Sequence, residues 1–103
     1  MTAQAPAHLR DQAVQLLQDA LDKPPTELKA EVDAAERAVV ALRDALIDRL
    51  RQSPTESVRA ALDQVNVCLS LVVGLEYPLG GLQRQMLEQA RTALEGARVE
   101  DLR

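Results

Sequence analysis

The chain has 103 residues, a formal net charge of −4 and a pI near 4.9. This acidic balance argues against nucleic acid as a partner, because phosphate binding requires a concentrated positive surface. The single cysteine cannot form an internal disulfide, and the N-terminus lacks the basic and apolar regions of a signal peptide. We therefore expect a cytoplasmic protein with no membrane partner. Ten arginines against two lysines indicate a GC-rich bacterial genome.

The kind of apolar residue in the chain predicts an all-α fold. Hydrophobic residues make up 47% of the chain, yet Tyr77 is the only aromatic and alanine, leucine and valine supply nearly all the rest. All-β domains depend on aromatic and β-branched side chains, whereas alanine, leucine, glutamine, glutamate and arginine favour helices. The length suits one domain, residues 1–103.

The first predicted helix covers about residues 8–22. Lys23-Pro24-Pro25 ends it, because two prolines cannot extend the hydrogen-bond ladder and Pro24 moves Lys23 out of the α region. Apolar residues recur on one face at helical spacing. This face comprises Leu9, Ala13, Leu16, Leu17, Ala20 and Leu21.

The second predicted helix covers about residues 26–52. Its apolar residues alternate in steps of four and three, as in the seam of a coiled coil: Leu28, Val32, Ala35, Val39, Leu42 and Leu46. Val40, Ile47 and Leu50 lie beside this seam and form a second, weaker apolar strip. A helix with two apolar strips should contact two neighbours.

The third predicted helix covers about residues 54–75 and follows a very short turn. Ser53 is expected to cap it, Pro54 suits the first helical position, and Glu56 completes a capping box. The short turn folds the helix back on the second as an antiparallel hairpin. Its apolar seam is Val58, Leu62, Val65, Leu69 and Val72, and further apolar residues on the other faces predict burial on most sides: Val67, Leu71 and Val73.

The fourth predicted helix covers about residues 80–97. Residues 65–82, which lead to it, hold the only cysteine, the only tyrosine and three of the four glycines. The predicted seam of this helix is Leu82, Met86, Ala90, Ala93 and Ala97, flanked by Leu87 and Leu94. Residues 98–103 are expected to form a fraying polar tail.

Together these elements predict an antiparallel bundle of three long helices and a shorter N-terminal helix around a central αα-hairpin. One small bundle leaves apolar surface on helices two and three uncovered, and such surface normally marks a partner interface. We therefore predict a non-catalytic interaction or assembly protein, either a homo-oligomer, most simply a dimer, or a small subunit of a larger complex. The candidate interface residues are Val40, Ile47, Leu50, Val67 and Leu71.

The chain carries few groups suited to catalysis or metal binding. His8 is the only histidine, and Cys68 lies in an apolar stretch where burial makes a thiol inert. No Glu-x-x-His pair and no zinc-type spacing occurs. We predict no catalytic residue, no cofactor and no metal site; an enzyme would require carboxylates such as Glu76 or Asp63 of different copies to meet in one cleft.

A small-molecule site is the alternative function. Its apolar pocket would lie near Cys68, Tyr77 and Met86, and Asn66 or Glu76 would select the ligand. Asn66 lies on the helix predicted to be buried, so a hydrogen bond across the bundle is the other interpretation of this side chain.

Ser70 and the turn at Gly80 and Gly81, in the same region, each have two interpretations. Ser70, like Asn66, would be either a buried hydrogen-bonding residue or a ligand contact. The backbone N–H groups of Gly80 and Gly81 could hold an anion with Arg84 nearby. Without a P-loop lysine, however, the turn is more typical of a plain connection.

Overall fold

The computed structural model of the chain describes residues 5–23, 29–75 and 83–99. These residues form four α-helices and no β-strand: α1 (Pro6–Leu21), α2 (Lys29–Gln52), α3 (Glu56–Gly74) and α4 (Gln83–Glu95). The all-α prediction is confirmed. The Cα radius of gyration is 13.6 Å, near the roughly 13 Å typical of a compact chain of this length. None of the described helices is long and apolar enough to cross a membrane.

Helix α1 begins two residues before its predicted start. Pro6 occupies the first turn, where a residue without an N–H leaves no hydrogen bond unmade. The helix ends at Leu21, ahead of Pro24 as predicted, and Asp22 N–H donates to Gln18 O at 3.1 Å. Helix α1 has 16 residues and the described part of α4 has 13, with the residues before Gln83 outside the described ranges.

The start of α3 differs from the prediction. Thr55, not Ser53, is the N-cap, and its hydroxyl accepts a hydrogen bond from Val58 N–H at 3.3 Å. Ser53 N–H still donates to Arg49 O at 2.8 Å, so this residue completes the last turn of α2. Pro54 lies between the two helices rather than inside α3. Pro54 also disfavours the α conformation at the residue before it, which separates the helices at this point.

The buried face of α2 is the predicted seam. Leu28 lies outside the described residues. The other five residues of the seam are buried: Val32, Ala35, Val39, Leu42 and Leu46. On α3 the fully buried positions include Ala61 and Cys68, while the predicted Leu62 and Leu69 pack at the edge of the core. Alanine and cysteine are small, so they allow close approach of the neighbouring helices at the centre of the core.

The expected fraying tail does not begin at residue 98 as predicted, because Val99 is buried, and residues 100–103 lie outside the described residues. Helix α4 stops at Glu95, but Ala97 and Val99 are both 0% exposed. Arg10 Nη1 donates to Ala97 O at 3.2 Å, which ties this end to the first turns of α1. The core face of α4 is Leu87, Ala90 and Leu94, because the helix is rotated relative to the predicted seam and Met86 is only half-buried.

The four helices pack around one shared core. Contacts join α1 to α2, α2 to α3, α3 to α4 and α4 back to α1. Arginine side chains join α1 to α4: Arg10 to Ala97 O, Arg84 to Leu21 O at 2.8 Å, and Arg91 to Gln18 Oε1. The start of α1 thus meets the end of α4, so these two helices are antiparallel.

No polar or charged residue is buried among the described residues, and each buried leucine or valine contributes about 1.5–3 kcal/mol.

Candidate interaction surface

The predicted second strip of α2 lies on its α3 side. Glu31 faces α1, because it forms an ion pair at 3.2 Å with Lys23 at the end of α1. Val40 follows Glu31 by nine residues, about 2.5 helical turns, and therefore lies on the opposite side of α2. Ile47, seven residues later, shares this side, and both are half-buried. Leu50 packs against the core, so it belongs to the core edge rather than to a free strip.

The two most exposed large hydrophobic side chains of the described residues are both on α3. Val67 is 50% exposed and Val73 is 38% exposed. They lie three residues before and three residues after Ser70, so they flank it on the outer side of the helix. Leu71 is half-buried and packs against the core. Of the two α3 interface candidates, Val67 is therefore the exposed one.

The contacts between α3 and α4 show on which side of α3 Val67 and Leu71 lie. A Cβ added at Gly74 would lie 2.8 Å from Met86 Cε, and one added at Gly96 would lie 3.8 Å from Gln64 Oε1. Both contacts link the strip of α3 that starts at Gln64 and ends at Gly74 to α4. Val67 and Leu71 lie on this same strip, at steps of three and four residues. Val67 thus flanks α4, whereas Val40 and Ile47 flank the other side of α3.

The outer side of α3 is free of charge over its C-terminal half. No acidic or basic residue occurs from position 64 to position 75, although 27% of the whole chain is charged. We call the exposed residues Asn66, Val67, Ser70 and Val73 the neutral face. The exposed Gln89 follows half-buried Met86 by three residues on α4, so the uncharged surface continues there.

The charged residues of α4 point elsewhere. Arg84 pairs with Glu88 at 3.4 Å and Arg91 pairs with Glu95 at 3.2 Å. Both arginines also reach α1, so this charged strip follows the α1–α4 side of the molecule. The separation of charge onto one side of α4 leaves its α3 side uncharged.

The residues predicted for a ligand pocket are not brought together among the described residues. Asn66 and Ser70 are exposed, so the expectation that they are buried is wrong. Cys68 is 0% exposed, and a difference of two residues turns its side chain about 200° away from that of Asn66. The prediction misplaced Asn66 because the buried direction of α3 runs through Val65 and Cys68, and Asn66 follows this direction by about 100°.

The remaining pocket candidates are only partly described. Met86 is half-buried against Gly74. Glu76 and Tyr77, together with Gly80 and Gly81, lie outside the described residues. Burial raises the pKa of the Cys68 thiol from 9.0 to about 12, so the thiol stays protonated at neutral pH. This fits the predicted small core residue and gives no reactive thiolate.

An open groove between α1 and α2 was not predicted from the sequence. Acidic side chains and one ion pair are part of its lining. The lining residues are Leu16, Asp19, Asp22, Lys23, Ala30, Glu31 and Ala34. Asp19 accepts a hydrogen bond from Gln15 Nε2 at 2.9 Å, and Asp22 accepts one from Gln18 Nε2 at 3.2 Å. No group of three or more possible metal ligands occurs within the described ranges. The groove is therefore a surface depression whose acidic groups already have partners.

Comparison with known proteins adds no relative to this picture. No protein-family model, no curated protein and no solved structure matches the chain.

Proposed function

We propose that the chain is a non-catalytic interaction protein that self-associates through the neutral face of α3. The single observation that carries this proposal is the exposure of Val67 and Val73 on a helix side without acidic or basic residues. The centres of protein interfaces are depleted in charge, whereas the ordinary surface of a soluble domain is rich in it. An exposed apolar patch within an uncharged helix side is therefore better suited to a protein contact than to solvent.

The charge distribution favours a second copy of the chain as the occupant. Two copies each carry a net charge of −4, so their surfaces repel on average. In a two-fold contact, any charge near the axis meets the same charge of the other copy. A symmetric contact consequently requires a neutral centre, which the side of α3 around Ser70 supplies. A different protein would place no such restriction on the face.

The other predicted strip supports an extension of the contact. Val40 and Ile47 lie on the α3 side of α2 and remain half-buried. Val73 and Val67 point toward different flanks of α3, so Val73 lies toward the α2 flank while Val67 lies toward α4. A partner seated on the neutral face would meet the edge of α2 next. Leu50 and Leu71 contribute to the core and are not assigned to the contact.

The proposal is tested by introducing charge into the neutral face. We expect the unmodified chain to have twice its 11.3 kDa mass in light scattering. The double variant Val67→Glu/Val73→Glu should have the mass of one chain, because unpaired buried charges cost about 3–5 kcal/mol, which weakens the dimer by more than about 100-fold. Circular dichroism should show unchanged helix content, since both side chains are exposed in the single chain.

The control adds one negative charge elsewhere on α3, so it matches the charge of the single variants Val67→Glu and Val73→Glu, which are measured beside the double variant. Ser57 is exposed, and it lies in the first turn of the helix, outside the neutral face. Ser57→Glu should leave the dimer mass unchanged. A dimer that persists in Val67→Glu/Val73→Glu, or one that dissociates equally in Ser57→Glu, would contradict the assignment of the contact to this face.

A further inference from the structure

The two exposed valines on the outer side of α3 are placed symmetrically about Ser70. Val67 lies three residues before Ser70 and Val73 lies three residues after it, and both are exposed. Asn66 and Gly74 lie four residues before and after. When a helix pairs with its own copy in an antiparallel direction, residues at equal distances on either side of the axis come to the same level.

We infer that two copies pair their α3 helices antiparallel, with the two-fold axis at Ser70. This inference rests on the proposed self-association and adds its register. Val67 of one copy then lies at the level of the partner's Val73, and Asn66 lies at the level of the partner's Gly74. Because the two-fold axis lies midway between them along the helix, Val67 and Val73 of each copy are both covered by the partner's α3, on opposite flanks of the contact. Ser70 on the axis is small, so the helices can approach closely.

Among the described residues, the nearest charge on the same side of α3 does not oppose this register. Asp63 is exposed and precedes Ser70 by seven residues, about 10 Å along the helix axis. The two Asp63 carboxylates of a dimer would therefore be separated by about 21 Å along the axis. This distance exceeds the Debye length of about 8 Å at physiological salt, so their repulsion is screened. A shift of the two-fold axis toward Asp63 would bring the two Asp63 carboxylates closer together and increase their repulsion.

The inferred register determines which cysteine variants can form a disulfide between copies. For helix axes about 10 Å apart and Cα atoms about 2.3 Å from each axis, the two Cα atoms at position 70 are about 5.4 Å apart. This separation is within the disulfide range of about 4.4–6.8 Å. At position 66 the two Cα atoms are displaced by about 12 Å along the axis, too far for a disulfide.

The experiment compares Ser70→Cys with Asn66→Cys, each combined with Cys68→Ala to remove the native thiol. Both sites are exposed on α3 and differ by about one helical turn. After mild oxidation we expect most of the Ser70→Cys chain to shift to twice 11.3 kDa in non-reducing electrophoresis. The Asn66→Cys chain should remain at 11.3 kDa. Both reduced variants are also measured by light scattering.

The two measurements separate the register from the self-association. If the reduced variants are dimers but Ser70→Cys does not form a disulfide, or Asn66→Cys forms it equally well, the register is overturned and the proposed function stands. If the reduced variants and the unmodified chain have the mass of one chain at every concentration, the proposed function is overturned, and the register with it.

Discussion

The methyl group of Met86 packs directly against Gly74: a Cβ added at position 74 would lie 2.8 Å from Met86 Cε. Cβ atoms do not approach a carbon atom this closely, so α3 and α4 meet here because Gly74 has no side chain. The contact lies at the end of the strip that contains Val67 and Leu71. It therefore helps to fix the position of α4 beside the neutral face.

This relationship predicts an energetic coupling between the two residues. Alanine at a helical position is more favourable than glycine by up to about 1 kcal/mol. In a Met86→Ala background, where the methyl group is gone, Gly74→Ala should raise the free energy of unfolding by this amount. In the unmodified chain the increase should be smaller by at least about 0.5 kcal/mol. Urea unfolding of the four chains measures the free energies. Equal effects of Gly74→Ala in both backgrounds would show that the methyl group moves away without cost.

The cap of α3 supplies a second prediction. Thr55→Ala should lower the free energy of unfolding by about 1 kcal/mol, because it removes the hydroxyl that accepts the Val58 N–H. Ser53→Ala is the control, and we expect a change of no more than about 0.5 kcal/mol. Thermal unfolding followed by circular dichroism distinguishes the two. A larger effect at Ser53 would restore the cap expected from the sequence.

The same turn illustrates how far the sequence determines the fold. The period of apolar residues gives the buried face of α2 correctly, because one direction of a long helix must face the core. Ser53 and Thr55 are both good N-caps, so composition alone does not choose between them. The choice depends on where α2 ends, and α2 uses the Ser53 N–H for its last turn.

The buried residues Ala97 and Val99, which follow α4, give a third prediction. Val99→Ala should destabilise the protein by about 2 kcal/mol, since Val99 is 0% exposed and its truncation leaves a cavity. Arg98→Ala, at the exposed neighbouring position, should change the free energy of unfolding by less than about 0.5 kcal/mol. Chemical unfolding of both variants is the measurement. If Val99→Ala and Arg98→Ala are equally stable, residues 96–99 do not pack on the core.

The Cys68 thiol predicts a specific loss of stability in alkali. Its pKa is about 12 in the folded chain and near 9.0 when exposed, so above pH 9 the unfolded chain ionises and the folded chain does not. The contribution of this thiol is therefore constant below pH 9 and falls by about 1.4 kcal/mol per pH unit between pH 9 and pH 12.

The variant Cys68→Ala isolates this effect from the ionisation of other groups. Between pH 8 and pH 10 the unmodified chain should lose about 1.4 kcal/mol more than Cys68→Ala, measured by urea unfolding at each pH. Identical pH profiles of the two chains would indicate that water reaches the thiol in the folded state.

The candidate surface could be predicted from the sequence only in part. The uncharged run and the apolar residues outside the seam set α3 apart, but the burial that they predict on most sides is wrong for Val67 and Val73, which are exposed. Which residues of that helix face outward depends on the direction of the core, and this direction is set by contacts with α2 and α4. For this reason Asn66 was misplaced, and Leu71 packs against the core beside α4.

The proposed dimer is held together by an uncharged, apolar contact between two copies. Its most direct test is the mass of the unmodified chain by sedimentation equilibrium, measured over a range of protein concentrations in low salt and in about 1 M NaCl. We predict a dimer of twice 11.3 kDa that salt leaves intact or strengthens, because salt screens the repulsion between two acidic chains without weakening an apolar contact. A mass of 11.3 kDa at every concentration, or a dimer that dissociates in high salt, would contradict the claim.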